Sequence, residues 1–166
     1  GLFSEHPEHA EQTLRYVSEA HLVLFVVNPS NPLKESHHAT VRWLLNDMGK
    51  RDVTIFVLSK MDKVADLEDP TDFQYHAKLK ADVLRETLQS IMGRGIDVPV
   101  LALAADPYQK GVAYWLEHAE EYRTVARLAE LERHVRTHVD AASQQLIVAV
   151  GMSVVRDAVI RATEQI

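Results

Sequence analysis

At 166 residues, 46% hydrophobic and 25% charged, the chain can build an ordinary globular core. Its formal net charge of −6 argues against an electrostatic grip on nucleic acid or on an anionic membrane surface, since either needs a basic face. Cysteine is absent, which excludes disulfide and thiolate chemistry and fits a reducing, cytoplasmic setting.

Gly1-Leu2-Phe3-Ser4-Glu5 has no basic region ahead of an apolar stretch and does not read as a signal peptide. The chain opens on Gly, which suits a processed or excised piece. Pro7 near a helix start, with Ala10, Leu14 and Val17 at helical spacing, predicts a helix over Pro7 to Glu19. His21 to Val27 is a continuous apolar run, rich in β-branched residues, and suits a strand buried on both faces. Asn28-Pro29-Ser30-Asn31-Pro32 ends it as a loop.

From Lys34 to Lys50, Val41, Leu44, Leu45 and Met48 mark one helical face, with Gly49 as a cap. Val53 to Leu58 is a second buried strand. A long helix is expected from Thr71 to Met92, with Phe73, Leu79, Val83, Leu84, Leu88 and Ile91 inward and Gly93 and Gly95 as stops. Val98 to Leu103 is a third strand, and Pro99 suggests an edge position. Strands alternating with helices at this spacing imply right-handed crossovers and a parallel sheet, an α/β fold. Ligands of such sheets sit at the carboxyl ends of the strands, which singles out the loops after Val27, Leu58 and Leu103.

Beyond Pro107 the pattern is helical: Gly111 to His118, then Tyr122 to Asp140 with Val125, Leu128, Leu131, Val135 and Val139 on one face, then Ala142 to Ile166. The last segment carries Leu146, Ile147, Val150, Val154 and Val155 as a broad stripe, with Gly151 as a point of bending. Its apolar run from Leu146 to Val155 is too short to span a bilayer, which takes about 20 residues.

The loop after the second strand, Ser59-Lys60-Met61-Asp62, carries the chemistry. A carboxylate at a strand's carboxyl end can accept two parallel hydrogen bonds from adjacent N–H groups. Guanine offers such a pair at N1 and N2, whereas adenine offers an acceptor at N1 and nothing at C2. Charged bonds of this bidentate kind are strong and directional. The wrong base leaves the carboxylate unpaired and is penalised. Lys60 can lay its methylene stem over a purine.

Ser59-Lys60-Met61-Asp62 resembles the Asn/Thr-Lys-x-Asp motif of P-loop GTPases, with Ser in place of the commoner Asn or Thr. Leu103-Ala104-Ala105-Asp106 is similar to the family's Ser-Ala-x loop, with Ala104 in the Ser place and Ala105 in the Ala place; the resemblance implies backbone contacts to guanine O6. Gly1-Leu2-Phe3 looks like the end of the Asp-x-x-Gly switch loop, with Gly1 as the glycine that contacts the γ-phosphate. The resemblance covers about Gly1 to Tyr122. The helical tail, with Tyr114-Trp115-Leu116 and Tyr122-Arg123 ahead of it, resembles that of bacterial dynamin-like GTPases.

This resemblance implies a partial, three-layer P-loop GTPase fold: the C-terminal half of a G domain over 1–122 and a helical extension over 123–166. It implies GTP or GDP as ligand, read by Ser59, Lys60, Asp62, Ala104 and Ala105. The phosphate loop Gly-x-x-x-x-Gly-Lys-Ser/Thr and the first switch are not in the sequence, so the Mg²⁺ ligands belong to a missing N-terminal half. This chain alone is expected not to hydrolyse GTP; the parent would do so, with self-association or peripheral membrane contact through that parent. The competing readings are a G-domain-like interaction module without catalysis and an unrelated doubly wound domain.

Other groups read as ordinary surface or packing residues. His134 and His138 lie i, i+4 on a helix, a metal-binding spacing, but lack a third ligand and read as a solvated face. His6, His9, His37 and His38 have no convincing ligand set, and Glu117, Glu120 and Glu121 read as an acidic face. Trp43 and Trp115 read as packing residues.

Overall fold

The computed structural model describes residues 15–93 and 95–163. The switch-loop glycine Gly1 and the first part of the Pro7–Glu19 helix lie outside the described residues. Residues 15–19 are helical, and Lys50 Nζ donates to the carbonyls of Ser18 and Ala20 at 2.7 and 2.8 Å, a cation at a helix C-terminus.

Strand β1, Val23–Val27, leads through helix α1, Glu35–Arg42, to strand β2, Thr54–Leu58; helix α2, Pro70–Met92, then leads to strand β3, Val100–Ala102. The sheet order is β1-β2-β3 and both pairings are parallel, as the alternation of strand and helix predicts. The register sets Phe25 beside Phe56 and Val27 beside Leu58 on one face, and Val57 beside Leu101 on the other. The first face forms the main core with Val41, Leu44 and Leu45 from around α1 and Phe73, Leu84, Leu88 and Ile91 from α2. The Phe25 and Phe56 rings lie 5.1 Å apart within it. Each such side chain contributes about 1.5–3 kcal/mol when fully buried. The second face gathers Ile55, Val57, Leu101 and Leu103, with Leu22, Leu128 and Leu131 packed against them.

Several boundaries and faces differ from the sequence expectation. β1 is not buried on both faces: Leu24 is 40% exposed and Val26 60%. The strand is an edge of the sheet, and the second-face cluster centres on β2 and β3. The expected α1 helix ends in a π-helical turn, Trp43–Asp47, closed by Met48 N–H donating to the Trp43 carbonyl; Gly49 then turns the chain at a φ of 61°. In α2, Leu79 and Val83 face outward, while Ala81 takes an inward place. The helix itself begins and ends as its caps dictate. Asp69 accepts from the N–H groups of Thr71 and Asp72, Pro70 takes the first position, and Gly93 ends it in the left-handed region.

After β3 come α3, Gly111–Glu117, α4, Ala119–Val125, and α5, Leu128–Thr163. The break expected between His118 and Tyr122 occurs at His118, a second, unexpected one falls at Ala126-Arg127, and no break occurs at Asp140 to Ala142 or at Gly151. Arg127 stands at a φ of 60°, where a helix cannot continue. The chain divides into two compact units, Gly1–Leu131 and Glu132–Ile166. The second is helical; there Val139 is half-exposed, and the expected stripe of Leu146, Ile147, Val150, Val154 and Val155 lies outside the described side chains. Among the described residues no helix is long and apolar enough to cross a membrane.

Candidate functional site

Parallel strands deliver their carboxyl ends to one edge, so the loops after β1, β2 and β3 converge. Hydrogen bonds lace them together. Ser59 donates to the Val27 carbonyl from its backbone N–H at 2.9 Å and from its Oγ at 3.3 Å. The short Ser side chain thus ties the second loop to the first. Met61 N–H donates to the Leu103 carbonyl at 3.2 Å and ties the second loop to the third.

Between these two ties the chain turns sharply. Lys60 adopts the left-handed conformation, φ 59° and ψ 39°, and is exposed. That geometry costs a non-glycine residue roughly 1–2 kcal/mol and is held only because its neighbours are fixed. The turn drives Met61 into the core, fully buried, where its carbonyl accepts from Val64 and Ala65. Met61 is therefore the anchor of the loop. The sequence reading treats it as a spacer, though its apolar character between charged neighbours signals burial.

Asp62 follows from this anchor. Its side chain keeps 8% of its exposure, yet its polar partner among the described residues is the Lys63 ammonium at 3.7 Å, beyond hydrogen-bond length. A nearly buried carboxylate normally accepts several hydrogen bonds. Among the described residues no donor lies within hydrogen-bond distance of this carboxylate.

The third loop divides its two alanines. Ala104 is fully buried and donates its N–H to the Ala126 carbonyl at 3.1 Å. That donor is engaged inside the protein, which leaves an outward-facing role to the exposed Ala105. Asp106, two residues after Ala104, closes a turn by accepting from the N–H groups of Lys110 and Gly111 at 3.1 and 3.0 Å. Gln109 sits within that turn at a φ of 57°.

Around this turn sits an aromatic cluster that the sequence does not announce, although Trp115 reads there as a packing residue. Tyr122 is fully buried against Tyr108, Tyr114 and Trp115, with ring centroids 5.2, 5.7 and 6.2 Å away. His118 stacks on Tyr114 at 3.9 Å, and Lys110 Nζ lies 4.3 Å from the same ring. Burial raises the Tyr122 phenol above its ordinary pKa, and the Asp106 carboxylate adds to the effect. Beside the first loop, a cavity of about 430 Å³ opens between Val26, Asn28, Ser30, Pro32, Lys34 and His37.

His134 and His138 lie one turn apart on α5, and no group of three or more metal-ligating side chains occurs among the described residues.

Residues 95–166 match the Dynamin-like helical domain family. The solved structure of "LeoA bacterial dynamin GTPase from ETEC" is similar to this chain at 36% identity and a TM-score of 0.76, over 91% of this chain. The likeness is dynamin-like. The chain spans 28% of the length of the bacterial dynamin structure. No curated protein matches the chain. The helical-domain match begins ahead of β3, so the dynamin-like region takes in the third loop as well as the helices.

Proposed function

We propose that this chain is the base-reading part of a guanine-nucleotide site, within a dynamin-like protein that hydrolyses GTP to drive a conformational change. The observation that carries the reading is Asp62: a carboxylate 8% exposed, just past the carboxyl end of the central strand, without a hydrogen-bond donor among the described residues. Guanine N1–H and N2–H fit it, and adenine has neither donor pair. Lys60 stands exposed beside it to cover the purine face, Ser59 holds the loop to β1, and the exposed Ala105 offers its N–H to O6. Ala104 supports Ala105 from inside.

The phosphate loop, the first switch and the Mg²⁺ ligands belong, in this reading, to the N-terminal half of the G domain, together with the Asp that precedes Gly1. Residues 1–122 are then the base-reading unit and 123–166 begin the helical extension. Self-association and peripheral membrane contact, in this reading, belong to the intact protein.

The test is a change of base. Asn at position 62 replaces one acceptor with an N–H donor, which suits the C2 carbonyl of xanthine. Asp62→Asn in the intact protein should weaken GTP binding at least tenfold and bring XTP binding above it. Equal GTP affinity in the two proteins, measured by calorimetry, contradicts the role given to Asp62.

A docking module without catalysis is the second reading, favoured by one observation. Tyr75, Leu79 and Val83 form an exposed apolar stripe at four-residue spacing along α2. A protein that binds no nucleotide yet keeps this stripe uncovered would be using the scaffold as a surface.

A further inference from the structure

Arg127 combines three costs. It is a non-glycine residue at a φ of 60°. Its Nε is buried without an acceptor among the described residues. Its backbone N–H reaches only to the Thr124 carbonyl, at 3.4 Å. One attraction offsets them: the guanidinium lies over the Phe73 ring, 4.5 Å from its centroid. Phe73 is buried in the first turn of α2, the helix that follows the Ser59–Asp62 loop. Residue 126, immediately before, is fully buried and accepts the Ala104 N–H. One residue therefore sits between the element behind the Asp62 loop and the carbonyl that supports the third loop.

We propose that Arg127 is a positioning residue of the guanine site: by stacking on Phe73 it holds the Ala126 carbonyl against the Ala104 N–H and so sets the place of Ala105 at the base. This role presupposes the guanine site proposed above. The physical chain is short. A strained backbone relaxes unless something fixes it. The stack on Phe73 fixes it, the Ala126 carbonyl follows the backbone of Arg127, and Ala104 follows that carbonyl through a buried hydrogen bond. Ala105 is the next residue. Loss of the stack lets Arg127 leave the left-handed region, moves the Ala126 carbonyl, and shifts the donor that faces O6. Asp62 is anchored through Met61, which is buried and bonded to Leu103, a residue that its own N–H holds to the Leu58 carbonyl and that precedes the Ala104–Ala105 peptide.

The test uses the intact protein and two nucleotides, GDP and IDP. Both carry O6 and N1–H; IDP lacks the N2 amine. The GDP-to-IDP affinity ratio therefore reports Asp62, and their common affinity also reports the O6 side. Arg127→Ala should weaken both nucleotides in parallel, by roughly tenfold, the worth of one misaligned hydrogen bond. The ratio should be unchanged. Arg127→Lys, which keeps a cation for the ring, should recover part of the loss. Phe73→Leu, which keeps apolar volume but removes the π face, should reproduce the loss in a protein shown to be folded by circular dichroism. Unchanged affinity in folded Arg127→Ala overturns the proposal. So does a collapse of the GDP-to-IDP ratio, which would place the effect at Asp62. A wild-type protein that binds GDP no better than ADP removes the guanine site itself, and Arg127's role with it; Asp62→Ala, run alongside, identifies that case by changing nothing.

Discussion

The hydroxyl of Tyr122 is buried and lacks a hydrogen-bond partner among the described residues. An orphaned hydroxyl costs free energy that the aromatic contacts must offset. Tyr122→Phe keeps those contacts and removes the orphan, so the melting temperature should rise, on the order of a few degrees. The same substitution has a pH signature. The folded-state pKa of the phenol is raised by burial above the unfolded value of about 10. Below that value both states hold the proton and stability is full. As pH climbs through the folded value, the unfolded state has already released its proton and stability falls. Tyr122→Phe should therefore blunt alkaline unfolding above about pH 10. A lower melting temperature for the variant at neutral pH would show that the hydroxyl has a partner and contradict the account of this cluster. Of the residues at this scale, the place of Asp62 at the carboxyl end of β2 was legible in the sequence, because the run before it reads as a buried strand. Met61 as anchor and Ala126 as support were not: one is a contact into the core, the other a backbone pairing across more than twenty positions.

At the scale of elements, α2 shows both what periodicity reveals and where it misleads. Its end was readable from Gly93, which acts on adjacent backbone, whereas its start was read one residue late, at Thr71, past the Asp69 cap and Pro70. Its inner face was readable in part. Phe73, Leu84, Leu88 and Ile91 are buried, but Leu79 is 44% exposed and Val83 42%. Hydropathy cannot distinguish a residue that faces this core from one that faces outward one step around the helix. The distinction is measurable by urea unfolding. Leu84→Ala and Leu88→Ala should each cost about 2–5 kcal/mol, and Leu79→Ala and Val83→Ala each less than about 1 kcal/mol. Equal costs across the four would mean the outward face is covered. β1 was misjudged for a related reason. An unbroken apolar run predicts two buried faces, whereas cover depends on what packs there, which the run itself does not encode. The join between α4 and α5 was not foreseen, because Arg127, with no glycine to announce it, takes the left-handed conformation.

For the whole molecule, strand and helix alternation was sufficient to foresee a parallel sheet with its loops gathered at one edge. The division into two compact units was not foreseen at its observed place, because α5 runs unbroken across it: Leu128 and Leu131 pack against the sheet while the following turns belong to the second unit. The dynamin-like likeness and the nearly buried carboxylate of Asp62 together define the central claim, that this chain selects guanine for a larger protein. The measurement that tests it most directly is equilibrium binding of GTP and of ATP, with Mg²⁺, to the intact protein and to its Asp62→Ala variant. The account predicts GTP bound at least a hundredfold more tightly than ATP, and a selectivity reduced to near unity in the variant. Equal binding of the two nucleotides by the folded wild-type protein, or selectivity that survives the loss of Asp62, would contradict it.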